Sequence, residues 1–186
     1  MDSFLPDTYT PPASNSSYMK FKDWENTFRI LSSPVLGWEY WQDKKPVRLT
    51  YTEDNGRVAS KEAAKNPDPL SNKAKHFWAM VVWNYSTNKI EILQINQRAI
   101  QESIRGYIAK KSWGNPKLYD IVVDKSGTGT DTKYAVSPIP PSPIESDIEK
   151  EFKNTPVNLQ ALFYGADPFD IEWKEPVDEA FVADTF

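Results

Sequence analysis

The chain has 186 residues, a formal net charge of −4, no cysteine and a single histidine, His76. That composition excludes disulfides, thiolate zinc sites, cysteine nucleophiles and histidine-based triads, and the length suits one domain with extensions. The charge is unevenly spread: residues 18–137 hold 19 Lys and Arg against 13 Asp and Glu, whereas residues 138–186 hold 3 against 11. A basic body with an acidic tail points to a polyanion as ligand and to a tail that competes with it.

In chain order, residues 1–17 carry prolines and serines but no basic side chain and read as a flexible arm. The start MDSFLPDTYTPP lacks the basic and apolar stretches of a signal peptide. No apolar run approaches the roughly 18 residues of a membrane span, so a cytoplasmic protein that avoids membranes is expected. The domain is expected over residues 18–137. Thr27–Leu31 alternates apolar and polar residues and predicts a strand closed by Ser32-Ser33-Pro34. GWEYWQ and VRLTYT, joined across Asp43-Lys44-Lys45-Pro46, predict a hairpin. Glu53–Lys75 is polar and Lys-rich, a long connection with one helical turn around residues 61–65 and a candidate flap over a ligand.

HFWAMVVWNY and KIEILQI, separated by Ser86-Thr87-Asn88, predict a second hairpin. Residues 96–111 then place Ile100, Ile104, Tyr107 and Ile108 at helical spacing, with Asn96 as the expected cap and Lys110 and Lys111 at the C-terminal dipole. Leu118–Asp124 and Lys133–Ser137, joined by KSGTGTD, predict a third hairpin. The chain therefore reads as mainly β: an OB-fold-like barrel of five to six strands with one inserted α-helix. Residues 138–186, rich in proline and acid, read as an acidic tail that is helical in part near residues 157–164.

The binding constellation mixes rings and cations. Trp38, Tyr40, Lys44, Lys45 and Arg48 lie on the first hairpin; Lys75, His76, Phe77 and Trp83 on the second; Arg98, Lys111, Trp113, Lys133 and Tyr134 follow. A single strand of nucleic acid needs this combination, because its phosphates seek a positive groove and its unstacked bases seek flat π surfaces. The same rings also suit the core of a small barrel, and His76 reads either as a phosphate contact when protonated or as a packing residue. Phe77–Trp83 is apolar on both faces, so alternation alone does not assign the face that meets ligand. Asp68 with Glu151 and Lys153 loosely resembles a metal-nuclease triplet, yet neither half falls on a predicted strand, and no catalysis, metal or cofactor is expected.

FRIL, the KHFWAMVVW hairpin, the isoleucine-striped helix and DIVVDKSGTGTDTKYAVSP together resemble phage single-stranded DNA-binding proteins of the OB-fold type, the T-even helix-destabilising family in particular. The resemblance covers about residues 28–137. It implies sequestration of single strands during phage replication and recombination, with Phe77 and Tyr134 stacking on bases and Arg98 in a basic groove. It does not extend to that family's zinc subdomain, whose place is taken by the cysteine-free Glu53–Lys75, or to its basic N-terminal arm. The acidic ending is similar to bacterial single-strand binders, and implies that Asp178, Glu179, Phe181, Asp184 and Phe186 recruit replication or recombination proteins. The expected function is thus non-catalytic binding and protection of single-stranded DNA without strong sequence preference. RNA binding and an OB-fold protein–protein adaptor are the alternatives, and the oligomeric state is left open.

Overall fold

A computed structural model describes residues 17–51 and 74–176. The N-terminal arm up to residue 16, the expected helical turn at 61–65, Asp68 and the tail residues Asp178 to Phe186 lie outside the described residues. The rest is mainly β, an open mixed sheet with a few helices. Its strands are β1 (Tyr18–Met19), β2 (Trp24–Ile30), β3 (Val35–Gln42), β4 (Lys45–Thr50), β5 (Lys75–Asn84), β6 (Lys89–Ile95), β7 (Asp120–Ser126) and β8 (Lys133–Pro138). Helix α1 is Arg98–Ile108 and helix α2 is Ser146–Asn154. The order across the sheet is β1-β6-β5-β2-β7-β8, with β3 also on β5 and β4 on β3. β1 runs parallel to β6, and the other pairs are antiparallel.

All three expected hairpins form. Asp43 and Lys44, at φ 50° and 62°, make the tight β3–β4 turn, whose left-handed backbone matches the twist of the flanking strands. β2 and β3 act as one bent strand along β5. Ile30 pairs with Val82 and Val35 with Ala79, so the segment Leu31–Pro34 bulges out of register between them. Ser32 secures the bend by accepting the Val81 N–H through its hydroxyl at 2.9 Å, while the Leu31 N–H donates to the Val81 carbonyl at 2.9 Å. Beyond the bend the chain leaves β7 and projects as the β3–β4 hairpin.

β5 is apolar on both faces, and each face is covered by a different part of the chain. Met80 and Val82 join Phe28, Ile30, Leu93, Ile95, Tyr119, Ile121 and Val123 in a core sealed by Ile100 and Ile104 of α1. On the opposite face, Phe77, Ala79 and Val81 pack with Ile90, Ile92, Leu159 and Leu162, flanked by Phe152 and Phe163. The expected boundary at Ser137 therefore does not end the folded chain. Residues that read as an acidic tail supply α2 and a 3-10 segment, Leu159–Tyr164, that close the second core. In α2, Ile148 and Phe152 stand four residues apart on one face, and Gly165, at φ 67°, ends the 3-10 segment in a left-handed turn.

A polar latch holds the start of this cover. Arg29, buried on β2, pairs through Nε with Asp120 Oδ1 at 2.5 Å and donates through Nη2 to the Ser142 carbonyl and hydroxyl, both at 3.1 Å. Tyr85 donates to the same Asp120 oxygen at 3.1 Å. Burial first, and the Asp120 carboxylate second, push its phenol up to about 12, which keeps the proton on the donor. Arg29 thus reads its partners from both the sheet and the crossing segment.

The expected cap of α1 also differs. Gln97 occupies the cap position without a side-chain bond to the helix's first N–H groups, its Oε1 accepting the Asn96 N–H instead, while the Asn96 amide is used by Glu39 and Gln94. Removing Leu162 tests the cover: Leu162→Ala should lower unfolding stability by about 2–5 kcal/mol, as for other buried leucines, in denaturant melts. Ending the chain at Ser137 should leave an aggregating protein, whereas ending it at Pro176 should leave the melting temperature unchanged.

Candidate nucleic-acid interface

β3 and β5 run past the end of α1, and the face that is core further along the sheet opens there into a cleft. Its volume is about 680 Å³ and its walls carry Trp38, Tyr51, Lys75, His76, Trp78, Arg98 and Arg105. Among the described residues, four rings and three cations therefore share one concavity with one carboxylate, Glu102. Alternation explains the rings: His76 and Trp78 continue the Met80–Val82 face of β5, Trp78 packing against the edge of the first core, and Trp38 is the cross-strand partner of His76. His76 lies between two neighbours, its ring centroid 5.1 Å from that of Trp38 and 5.3 Å from that of Tyr51. The helix supplies cations at positions 98 and 105, seven residues apart and so on one face. Arg98 is 88% exposed and makes a pair with Glu102 at 2.7 Å, weak at such exposure and open to exchange for a phosphate.

The cleft is braced from behind. Gln101, buried on α1, donates through Nε2 to the Ile95 carbonyl at 2.8 Å and the His76 carbonyl at 3.2 Å, tying the helix to both strands. Glu39 accepts from Gln94 at 2.9 Å and from Asn96 at 3.3 Å. Gly37 has no room for a side chain, since a Cβ there would come within 2.7 Å of the Leu49 carbonyl and of the Phe77 and Phe163 rings. Its carbonyl faces His76 Nδ1 at 2.9 Å. The C-terminal cover thus presses on the strand that carries the cleft's rings.

The residues singled out from the sequence divide. Trp38, Lys75, His76 and Arg98 meet in the cleft. Phe77 does not: it is 0% exposed in the second core, 6.0 Å from the Phe163 ring, so it has no face to offer a base. Arg48 is likewise committed. Its Nε lies 3.0 Å from Glu39 Oε2, close enough for an ion pair though not aligned as a hydrogen bond, and its Nη2 donates to Gln94 at 3.1 Å. With its charge neutralised and only 14% of its side chain exposed, it braces β4 rather than awaiting phosphate.

Trp83 flanks the second core, and Trp113 packs edge-on between Tyr107 and Tyr119 against the first. Tyr134 is half-buried beside Phe21, at 6.0 Å between ring centroids. Tyr40 is half-buried on β3, Lys44 is exposed in the β3–β4 turn and Lys45 at the start of β4, and Lys111, after α1, and Lys133, at the start of β8, are exposed elsewhere. Tyr51, Trp78, Gln101 and Arg105 were not singled out. The seven-residue spacing of Arg98 and Arg105 was the signal available for Arg105; nothing local marked Tyr51. Among the described residues no group of three or more His, Asp or Glu is placed to hold a metal ion. On α2, Lys153 pairs with Glu149 at 2.9 Å.

Burial lowers the pKa of His76 below the usual histidine value, an effect that its contact with the Gly37 carbonyl partly offsets. The unfolded chain therefore takes up the proton first as pH falls. His76 leaves stability untouched well above pH 6.5 and withdraws it progressively as pH drops from about 6.5 through the lower folded value. The melting temperature should fall across that window, and His76→Gln should flatten the fall; an identical profile for the variant would contradict this. No protein-family model matches the sequence, and no curated protein matches it significantly.

Proposed function

We propose that the chain binds single-stranded DNA, without catalysis and without strong sequence preference, in the cleft between α1 and the β3 and β5 strands. The observation that carries this reading is the convergence of Trp38, Tyr51, His76 and Trp78 with Lys75, Arg98 and Arg105 around one open cleft. Stacking on such rings contributes about 1–3 kcal/mol per base and requires bases already out of a duplex. Arginine adds a planar partner for phosphate and ring alike.

Topology supports an OB-type scaffold for this site. With β2 and β3 taken as one bent first strand, the order β6-β5-β2-β7-β8, with α1 between β6 and β7 in the chain, is the order of parts of that fold. The resemblance of residues 28–137 to phage single-strand binders extends the reading to phage DNA replication and recombination. In that setting the acidic residues 177–186 compete with DNA for the cations and recruit replication proteins. A cytoplasmic location in an infected bacterium belongs to the same reading. No helix among the described residues is long and apolar enough to cross a membrane.

Titrating oligo(dT) against tryptophan fluorescence tests the proposal, since bases stacked on Trp38 and Trp78 quench them. Quenching by dT with weaker response to duplex supports it; a preference for rU over dT would move the reading to RNA, and no response to any strand would favour the protein adaptor. Each cleft cation neutralises one phosphate, so the slope of log K against log salt should be shallower by roughly 0.7 in Lys75→Ala or Arg105→Ala. Removing residues 177–186 should tighten binding at low salt and leave it unchanged at high salt.

A further inference from the structure

Trp24 opens β2 in a conformation that a tryptophan rarely takes. Its φ is 72°, in the left-handed region, and its side chain is 76% exposed. Of the other described non-glycine residues with positive φ, Asp43 and Lys44 lie in the β3–β4 turn and Asn88 in the β5–β6 turn, where such backbone is ordinary. Trp24 belongs to no hairpin turn. For a bulky side chain this backbone is strained, and it persists only where the surroundings impose it.

The surroundings here are built around Asn26. Buried at 5% exposure, it accepts the Lys22 N–H at 2.8 Å through Oδ1. Its Nδ2 is within hydrogen-bond reach of three carbonyls, of Lys22 at 2.8 Å, Trp24 at 2.9 Å and Val123 at 3.0 Å. One buried amide thus fixes the loop Lys22–Trp24 against β7. The result forgoes burial of an indole and accepts backbone strain at one residue, and neither feature helps the fold.

We propose that Trp24 is a second stacking surface for an unpaired nucleobase, at the other end of the sheet from the cleft. Cations able to meet a strand's backbone stand near it among carboxylates: Lys20 and Lys22 precede it, exposed and without a carboxylate partner among the described residues, while Asp23 and Glu25 flank it and Asp124 lies opposite Glu25. Lys125, its cross-strand neighbour, is held by Asp23 at 3.1 Å, and next to Lys125 in register is Tyr134. Lys133 follows on the same edge.

From His76 to Asn84 along β5, then from Phe28 back to Trp24 along β2, the path is on the order of 40 Å at strand rise. At 3.4 Å per stacked nucleotide, a strand touching both surfaces is about 12 nucleotides long. Trp24 therefore acts on the length of strand held, beyond what the cleft alone grips. This inference rests on the proposed binding of single strands.

The test uses the full chain with Trp24→Asn, because asparagine tolerates the left-handed backbone and carries no ring. The expected result is an unchanged or higher melting temperature together with roughly tenfold weaker binding of dT20, measured by anisotropy of labelled strand. Trp24→Phe, which keeps a ring, should recover most of that loss. Equal dT20 affinity in wild type and Trp24→Asn, with Trp38→Ala still weakened, overturns the second surface and leaves the cleft standing. A lowered melting temperature in Trp24→Asn with no recovery by Trp24→Phe assigns the ring to the fold and overturns the proposal. If the unsubstituted chain fails to bind dT20, both this inference and the proposed function fall.

Discussion

β5 has apolar side chains on both faces, and water must be kept from both. No open sheet of this size satisfies such a strand by itself, since a face left bare forgoes about 25 cal/mol for each Å² of apolar surface it exposes. The chain meets the demand with two covers of different origin. Helix α1 lies on the Met80–Val82 face, and α2 with the 3-10 segment Leu159–Tyr164 lies on the Phe77–Val81 face. The site exists because the first cover is shorter than the strand. Where α1 begins, at Arg98, β5 still has His76 and Trp78 to place, and these become cleft wall.

The second cover closes one face of β5 to any ligand. Phe77, Ala79 and Val81 form an apolar face that this chain fills with its own Leu159, Leu162 and Phe163. The rings of Trp38 and His76, on the opposite face of β5, line the cleft instead. Glu39 and Arg48 mark the seam, each cancelling the other.

Much of the scaffold was legible in the sequence because it is local. Two-residue periodicity in TFRIL and KIEILQI, the Asp43-Lys44 turn and the isoleucine stripe of α1 report structure within a few residues of themselves. The rest depends on contacts between distant segments. The apolar residues of 148–163 are sparse among acids and prolines, and only the unsatisfied second face of Phe77–Val81 explains why they fold. That same unread contact reversed the role of Phe77, from base platform to core. Arg48 looked free because its partner Glu39 is opposite it on another strand, a pairing fixed by hairpin register. Trp38 and His76 lie in separate stretches of the chain, and their closeness follows from the β3–β5 pairing across the bend at Ser32, which no local pattern states.

In the proposed reading, a single strand lies against the rings between α1 and β3–β5, on the face away from the C-terminal cover. Photocrosslinking of a bromouracil-substituted oligonucleotide, followed by identification of the modified peptides, tests it most directly. The account predicts adducts at Trp38, Tyr51, His76 or Trp78. Adducts confined to Trp83, Phe152, Phe163 or Tyr164 on the covered face, or an absence of adducts at saturating strand, would contradict it.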